Sequence, residues 1–326
     1  MEFPILMMKR SLIPLFVAIV LLGCTKDITV DLPKTDPYLV VEGTIQAGQP
    51  PLIMLTRTQS YFDPADLNSF SNLFVHGATI NVSDGVNTAA LQEFCSSAFT
   101  AGQLAAIASV IGVDPVVLAN ANVCIYTDSS GTIIGQTGRS YTLHIAAENK
   151  TLSSVTSIPN TVHLDSTWFK LAQQNPNDDT LGYVWAKLHD PDTLGNGYRF
   201  LTRRINHYSD GSIKDNTFTG AIGSAFYDKF INGLTFDFFA VRGHSPYSSK
   251  PDDDNAERGY FKRGDTVVVK FVSIGYKEYD FYNSFEANVS SQGDLFSTPA
   301  NVRSNINGGL GIWAGWGVAL DTVVCQ

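Results

Sequence analysis

The sequence has little charge and no excess of basic residues. Charged side chains make up 16% of the 326 residues, and the formal net charge is −9. An average globular chain carries about 25% charged residues. Nucleic-acid binding needs a basic face that neutralises phosphates, so this balance argues against that class of protein. With 44% hydrophobic residues and 11% aromatic residues, the chain can bury a sizeable core, which excludes global disorder.

The sequence also lacks a long hydrophobic run. Its longest N-terminal apolar stretch, residues 12–22, follows Lys9 and Arg10 and is shorter than the ~20 residues that a membrane-spanning helix needs. The stretch ends in Leu21-Leu22-Gly23-Cys24, which resembles the lipobox of bacterial lipoproteins. We therefore expect residues 1–23 to be a signal peptide, cleavage between Gly23 and Cys24, and acylation of the Cys24 thiol. Met8 is an alternative start to Met1.

The residues after Cys24 bear on location. Residues 24–37 contain Pro33 and Pro37 and are predicted to form a lipidated tether. Thr25-Lys26-Asp27 partly resembles the export tag of Bacteroidota surface lipoproteins. We expect the protein to be anchored in the outer membrane through acylated Cys24 and exposed at the cell surface, with the periplasmic face as the alternative.

Cysteine and histidine spacings of metal-site type are missing. No Cys-x-x-Cys or His-x-x-x-His pattern occurs, so neither a metal nor a cofactor is predicted. An exported chain lies in a compartment that permits disulfides, and we predict that Cys95 and Cys124 pair. A pair that includes Cys325, or three buried free thiols, are the alternatives.

The remaining pattern predicts a mainly β protein. Short β-branched runs separated by turn signals predict a first β-sandwich domain of immunoglobulin or fibronectin type over residues 38–159. Helix formers and two helix-start signals interrupt it, and they predict a small helical insertion at 96–122. Residues 160–326 are predicted to form a second β-rich domain, with one amphipathic helix at 276–289.

Several short motifs resemble a known family. They are Cys24, the run Tyr38–Gly43, residues 50–57, Tyr61-Phe62, Gly77-Ala78, Ser157–Pro159, Pro299–Val302, Ser304–Ile306 and Gly308–Gly311. Their order and spacing resemble the Bacteroidota lipoprotein family catalogued as domain of unknown function 4249. That resemblance implies an outer-membrane lipoprotein associated with a TonB-dependent transporter barrel, with an accessory role in uptake or surface assembly.

No segment carries a catalytic signature. Gly243-His244-Ser245-Pro246-Tyr247 lacks the second glycine of a nucleophile elbow, and Pro246 removes the N–H that an oxyanion hole needs. Asp252-Asp253-Asp254-Asn255 does not have calcium-loop spacing. The glycines at 308–311 have no Rossmann context, and we expect them to serve turns or close backbone packing.

Three functions follow from these observations. The first is a non-catalytic accessory lipoprotein partnered with a transporter. The second is a free-standing glycan- or peptide-binding lipoprotein that uses Trp313, Trp316, Tyr247 or Tyr260 for stacking. For the two tryptophans we favour the reading as buried core aromatics over a stacking role. The third is a hydrolase that uses carboxylates of the acidic loops.

Overall fold

The structure is a computed structural model. It describes residues 36–59, 70–111, 115–173, 180–243, 257, 259–290 and 301–326. The predicted signal peptide, Cys24 and nearly all of the tether therefore lie outside the described residues, as do Tyr247 and the acidic run 252–255. None of the helices in the described ranges has the length and apolar content that crossing a membrane requires.

Sixteen strands form three sheets within the described ranges, which confirms the mainly β class. Most of them alternate buried and exposed residues, the pattern of a strand with one face on a core. The strands before residue 160 are β1 (Leu39–Gln46), β2 (Leu52–Arg57), β3 (Thr79–Ser83), β4 (Thr88–Ala90), β5 (Gln92–Cys95), β6 (Cys124–Thr127), β7 (Ser140–Ala147) and β8 (Lys150–Ser157). The later strands are β9 (Leu164–Leu171), β10 (Leu181–His189), β11 (Gly197–Arg204), β12 (Ala225–Tyr227), β13 (Thr235–Ala240), β14 (Phe261–Lys262), β15 (Thr266–Ile274) and β16 (Leu310–Val324).

The central sheet takes strands from both sides of the predicted domain boundary at 159/160. Its order is β12-β11-β15-β16-β1-β2-β6-β5. The first half of β16 pairs in parallel with β1, and its second half pairs antiparallel with β15. The two predicted domains therefore share one sheet, and residues Pro37–Gln326 form one compact unit.

Two smaller sheets cover the same face of the central sheet. We call β4-β3-β7-β8 the first outer sheet and the sheet of β9, β10, β13 and β14 the second outer sheet. A mostly aliphatic core, which includes Leu39, Ile53 and Leu143, joins the first outer sheet to the central sheet. A core rich in phenylalanine, which includes Phe200, Phe261 and Phe271, joins the second. The immunoglobulin or fibronectin type of the first half remains a prediction.

Helices lie against the opposite face of the central sheet. The predicted insertion at 96–122 is confirmed as a 3-10 turn at Ser96–Ala98 followed by α1 (Ala101–Ile111) and α2 (Pro115–Asn120). The predicted amphipathic helix is confirmed as α3 (Tyr276–Ser290). The apolar side of α3 packs through Tyr279 and Tyr282 on residues of β11, β15 and β16.

The glycines around the start of β16 allow close backbone contact. Gly311 has φ +104, and a Cβ there would overlap the carbonyl oxygen of Val41 on β1. A Cβ on Gly315 would overlap the carbonyl oxygen of Ser157 at the end of β8. These positions accept only glycine because neighbouring backbone fills the space of a side chain, as the sequence predicts for the glycine-rich tail.

Candidate ligand-binding surface

The outward face of the second outer sheet carries aromatic side chains. Along β10, Val184, Ala186 and Leu188 are fully buried in the core below, whereas Tyr183 and Trp185 are partly exposed on the other face. Because successive side chains of a strand point to opposite faces, this alternation places two rings on the outside of the sheet. Phe239 of β13, 46% exposed, lies on the same side.

Strand register aligns two of these rings, Trp185 and Phe239, in a row with a third ring, that of Trp168. Trp185 lies directly opposite Trp168 of β9 on one side and opposite Phe239 of β13 on the other. The centroids of Trp168 and Trp185 are 6.3 Å apart with planes 19° from parallel, and those of Trp185 and Phe239 are 5.2 Å apart. Three strands thus form one continuous aromatic row.

Two tyrosines extend this row. The ring centroid of Tyr183 lies 4.8 Å from that of Phe239 and 5.1 Å from that of Tyr260. We define the aromatic surface as Trp168, Tyr183, Trp185, Phe239 and Tyr260. Tyr260 is one of the loop aromatics that the sequence analysis named for stacking.

Polar groups border the aromatic surface. The ammonium of Lys170 lies 5.2 Å from the Trp185 ring centroid, and Lys187 forms an ion pair of 3.7 Å with Asp237 on the next strand. Burial, together with the neighbouring Tyr260 hydroxyl, raises the pKa of Tyr183 to about 12. The two phenols thus form a hydrogen-bonded pair at the border of the aromatic surface.

The arrangement suits a ligand with one apolar face and polar edges. Aromatic rings gain by covering apolar C–H surface, and phenol hydroxyls and cations at the border can bond to polar edges. A sugar ring is such a ligand, because its C–H face is apolar and its equatorial hydroxyls form polar edges. Contiguous exposed apolar patches on soluble proteins commonly mark binding sites.

Comparison with known proteins assigns the family. The sequence model described as "Domain of unknown function (DUF4249)" matches residues 25–320. The chain belongs to this family. No curated protein and no solved structure matches it.

The two tryptophans predicted for stacking in this DUF4249 chain lie on opposite faces of β16. Trp313 is fully buried in the aliphatic core, and its Nε1 donates a hydrogen bond of 3.0 Å to the carbonyl oxygen of Tyr141. Its ring therefore offers no surface to a ligand, so the favoured reading of Trp313 as a buried core aromatic is confirmed and its use for stacking is excluded. Trp316 packs on the α3 side, partly buried, with the Lys270 ammonium 4.7 Å from its ring centroid.

The predicted disulfide between Cys95 and Cys124 is confirmed. The two cysteines lie opposite each other on β5 and β6, so the bond closes the base of the helical insertion, as the sequence predicts. Cys325 is a free, buried thiol, and burial raises its pKa to about 12.

The topology also brings together a group of metal-ligand type that sequence spacing did not indicate. Ligand atoms of His76, Glu93, Cys95 and Cys124 all lie within 4.8 Å of one another. Because the two sulfurs are bonded to each other, the oxidised chain offers only His76 and Glu93, whose Nδ1 and Oε1 are 2.6 Å apart. Burial opposes ionisation of Glu93, but the Gly77 N–H and the His76 ring outweigh it and lower the pKa of this carboxyl.

Of the aromatic surface, only Tyr260 was predicted from the sequence. A signal was present in Tyr183-Val184-Trp185-Ala186, where aromatic residues occupy the alternate positions of a strand whose other face is fully apolar. Because the other face already supplies the buried core residues, the outward rings are not required for packing the sheet. The contribution of Trp168 and Phe239 depends on the register of β9 and β13 against β10, and local pattern does not set that register.

Proposed function

We propose that this protein is a non-catalytic lipoprotein, anchored in the outer membrane at the cell surface, that binds carbohydrate on the aromatic surface. The observation that carries the proposal is the row of Trp168, Trp185 and Phe239 on the outward face of the second outer sheet. The Leu21–Cys24 pattern supports the lipid anchor, and the order of the family motifs supports a place among Bacteroidota lipoproteins.

Carbohydrate is the ligand class that best fits the surface. A sugar ring can place its C–H face on the indoles, while its hydroxyls reach Lys170 and the Tyr183 hydroxyl. A flat apolar ligand would leave the Lys170 ammonium without a polar partner, which costs free energy once water is displaced.

The test is oligosaccharide binding by the mature chain. Soluble hexasaccharides of glucose, mannose, xylose and N-acetylglucosamine are titrated by calorimetry against the wild type and Trp185→Ala. Loss of one stacking ring is worth about 1 kcal/mol, so affinity should fall by about five- to tenfold.

A matched control is Thr142→Ala on the outward face of the first outer sheet, which should leave affinity unchanged. Circular dichroism and the unfolding midpoint check that each variant is folded. Failure of every oligosaccharide to bind the wild type, or equal affinity in Trp185→Ala and wild type, would overturn the carbohydrate proposal.

We further propose that the protein works beside a TonB-dependent transporter barrel, as the family resemblance suggests. Support comes from the motif order that the chain shares with such lipoproteins. Affinity purification from detergent-solubilised membranes should recover a barrel with the wild type, and Trp185→Ala should recover it equally because its change lies in the sugar surface. Absence of any barrel from the purified material would reject the partnership and leave the carbohydrate proposal standing.

A further inference from the structure

A second cluster lies on the opposite face of the central sheet, beside α3 and away from the aromatic surface. Arg199 and Arg203 of β11, Lys270 of β15 and Trp316 of β16 project on this face. Two further rings, those of Phe218 and Tyr282, contact these side chains. Sequence alone did not bring these residues together, because they come from five separate segments.

The cations of this cluster lie over aromatic rings. The Arg199 guanidinium is 3.8 Å from the Tyr282 ring centroid, and the Arg203 guanidinium is 4.8 Å from that of Phe218. The Lys270 ammonium lies 5.6 Å from Phe218 and 4.7 Å from Trp316. Lys270 therefore shares one ring with Arg203, so two positive charges lie close together.

Two N–H donors of this cluster are buried without an acceptor among the described residues. They are Nε of Arg199 and Nε of Arg203, whereas the indole N–H of Trp316 has the Tyr282 hydroxyl as a neighbour that can accept its hydrogen bond. Buried donors in native proteins nearly always have a partner, and a donor left without one costs about 1–3 kcal/mol. Two such donors in one place indicate that an acceptor belongs there.

Few carboxylates of the described residues pair with the cluster. Glu286 lies 3.9 Å from Arg199, and its oxygens already accept hydrogen bonds from the Gly223 N–H and the Ser224 hydroxyl. Within the described part of the chain, Arg203 and Lys270 form no ion pair with a carboxylate. Burial, and then the charges of the two arginines, lower the pKa of Lys270 to about 8.

A second carboxylate, that of Glu42 on β1, interacts with the Arg199 charge. Among the three cations of the cluster, it therefore adds a partner for Arg199 and not for Arg203 or Lys270.

We infer that Arg199, Arg203, Lys270 and Trp316 form a binding site for an oxyanion group, that is, the carboxylate, sulfate or phosphate of a ligand. The guanidinium Nε groups supply donors, and the ammonium supplies charge. The rings of Phe218 and Trp316 hold the cations from the side and exclude water, which strengthens the attraction. The site stands independently of the proposed carbohydrate surface.

The experiment measures protection of Lys270 in the folded, mature chain. Sodium phosphate, sodium sulfate and sodium glucuronate are added separately at constant ionic strength, with sodium chloride as the reference. Acetic anhydride then labels amines, and mass spectrometry quantifies modification at Lys270 and at exposed Lys277 of α3. We expect at least one oxyanion to slow labelling of Lys270 by fivefold or more and to leave Lys277 unchanged. The anion that protects best identifies the group that the site prefers.

Arg203→Met and the matched control Lys277→Met complete the test. Arg203→Met should lower the affinity for the protecting anion about tenfold, and Lys277→Met should leave that affinity unchanged. If no oxyanion protects Lys270 beyond chloride, or if protection is as strong in folded Arg203→Met, the inference is overturned. Should Arg203→Met fail to fold, labelling of the wild type still decides the matter.

Discussion

The two outer sheets cover the same central sheet, yet their outward faces differ in chemistry. The first outer sheet presents small and polar side chains to solvent, among them Thr79, Asn81, Thr142 and His144. The second outer sheet presents the aromatic surface. Their inward faces both meet the need for a buried core, one mostly with aliphatic residues and the other with many phenylalanines.

This difference separates structural from functional causes. Covering the central sheet requires apolar residues on the inward face only, and the first outer sheet shows that a polar outward face is compatible with it. The rings of Trp168, Trp185 and Phe239 therefore need another explanation, and the proposed binding of carbohydrate would supply it. The helix-covered face of the central sheet also differs between its two ends, with the helical insertion beside β6 at one end and the cation cluster beside α3 at the other.

The largest effect on stability should come from β16, the strand that pairs with β1 of the first half (residues 38–159) and lies in the second half (residues 160–326). Gly311→Ala combines a φ of +104 with overlap on the Val41 carbonyl, so the free energy of unfolding should fall by about 3 kcal/mol or more. Denaturant titration should show one transition shifted for both halves. Gly102→Ala on α1 is the control, since no atom lies within 4 Å of the added Cβ, and it should be neutral or slightly stabilising. Two separate transitions, with only one of them shifted, would show that the halves unfold independently.

A somewhat smaller effect should be confined to the first half. Replacing Cys95 and Cys124 by serine opens a loop with sequence separation 29 and should cost about 3 kcal/mol. Hydrogen exchange should accelerate in residues 96–124 and stay unchanged in β10 and β11. Cys325→Ala provides a control in the second half, because this thiol is free and its loss opens no loop. Equal acceleration in both halves would contradict the local role of the disulfide.

The pH dependence of stability should report the titration of Lys270, which lies in the second half of the chain. Lys270 has a pKa of about 8 in the folded chain against about 10.4 in an unfolded one. Between these values the unfolded chain binds more protons, so the free energy of unfolding should rise with pH. We expect a gain on the order of 1 kcal/mol from pH 7 to 9.5, measured by urea titration in a Cys325→Ala background, because the raised pKa of the Cys325 thiol would otherwise act in the opposite direction above about pH 8.5. Above that window the tyrosines of raised pKa, such as Tyr282 at about 12, act in the opposite direction. Lys270→Met should flatten the slope and Lys277→Met should preserve it; an unchanged slope in Lys270→Met would reject the assignment.

The smallest change in stability should follow from making the outer sheets alike. The double variant Trp168→Thr and Trp185→Thr gives β9 and β10 a threonine face like that of β7. Threonine suits a strand, and cross-strand ring pairs on an exposed face contribute about 0.2–1 kcal/mol. Calorimetric unfolding should therefore show a loss of about 1 kcal/mol, while carbohydrate binding disappears. A loss above about 3 kcal/mol would mean that the rings hold the sheet together, and the binding proposal would lose its main support.

Local sequence pattern predicted much of the fold. The mainly β class, the insertion at 96–122, the helix at 276–289 and the Cys95–Cys124 pair follow from periodicity, capping signals and spacing. Shared sheet membership did not, because β1 and β16 lie about 270 residues apart in the chain, and such pairing leaves no local trace. The same limit applies to the sites: Trp313 and Trp316 are close in sequence but face opposite ways, whereas Trp168 and Phe239 meet only through Trp185.

The position of β16 between β1 and β15 sets the timing of folding. Translation produces this strand after every other strand of the three sheets, yet it fills the middle of the largest one. Until its residues emerge, β1 and β15 each expose an unpaired edge, and the nascent polypeptide cannot close its longest-range contacts. Completion of the central sheet must therefore follow synthesis of the last strand.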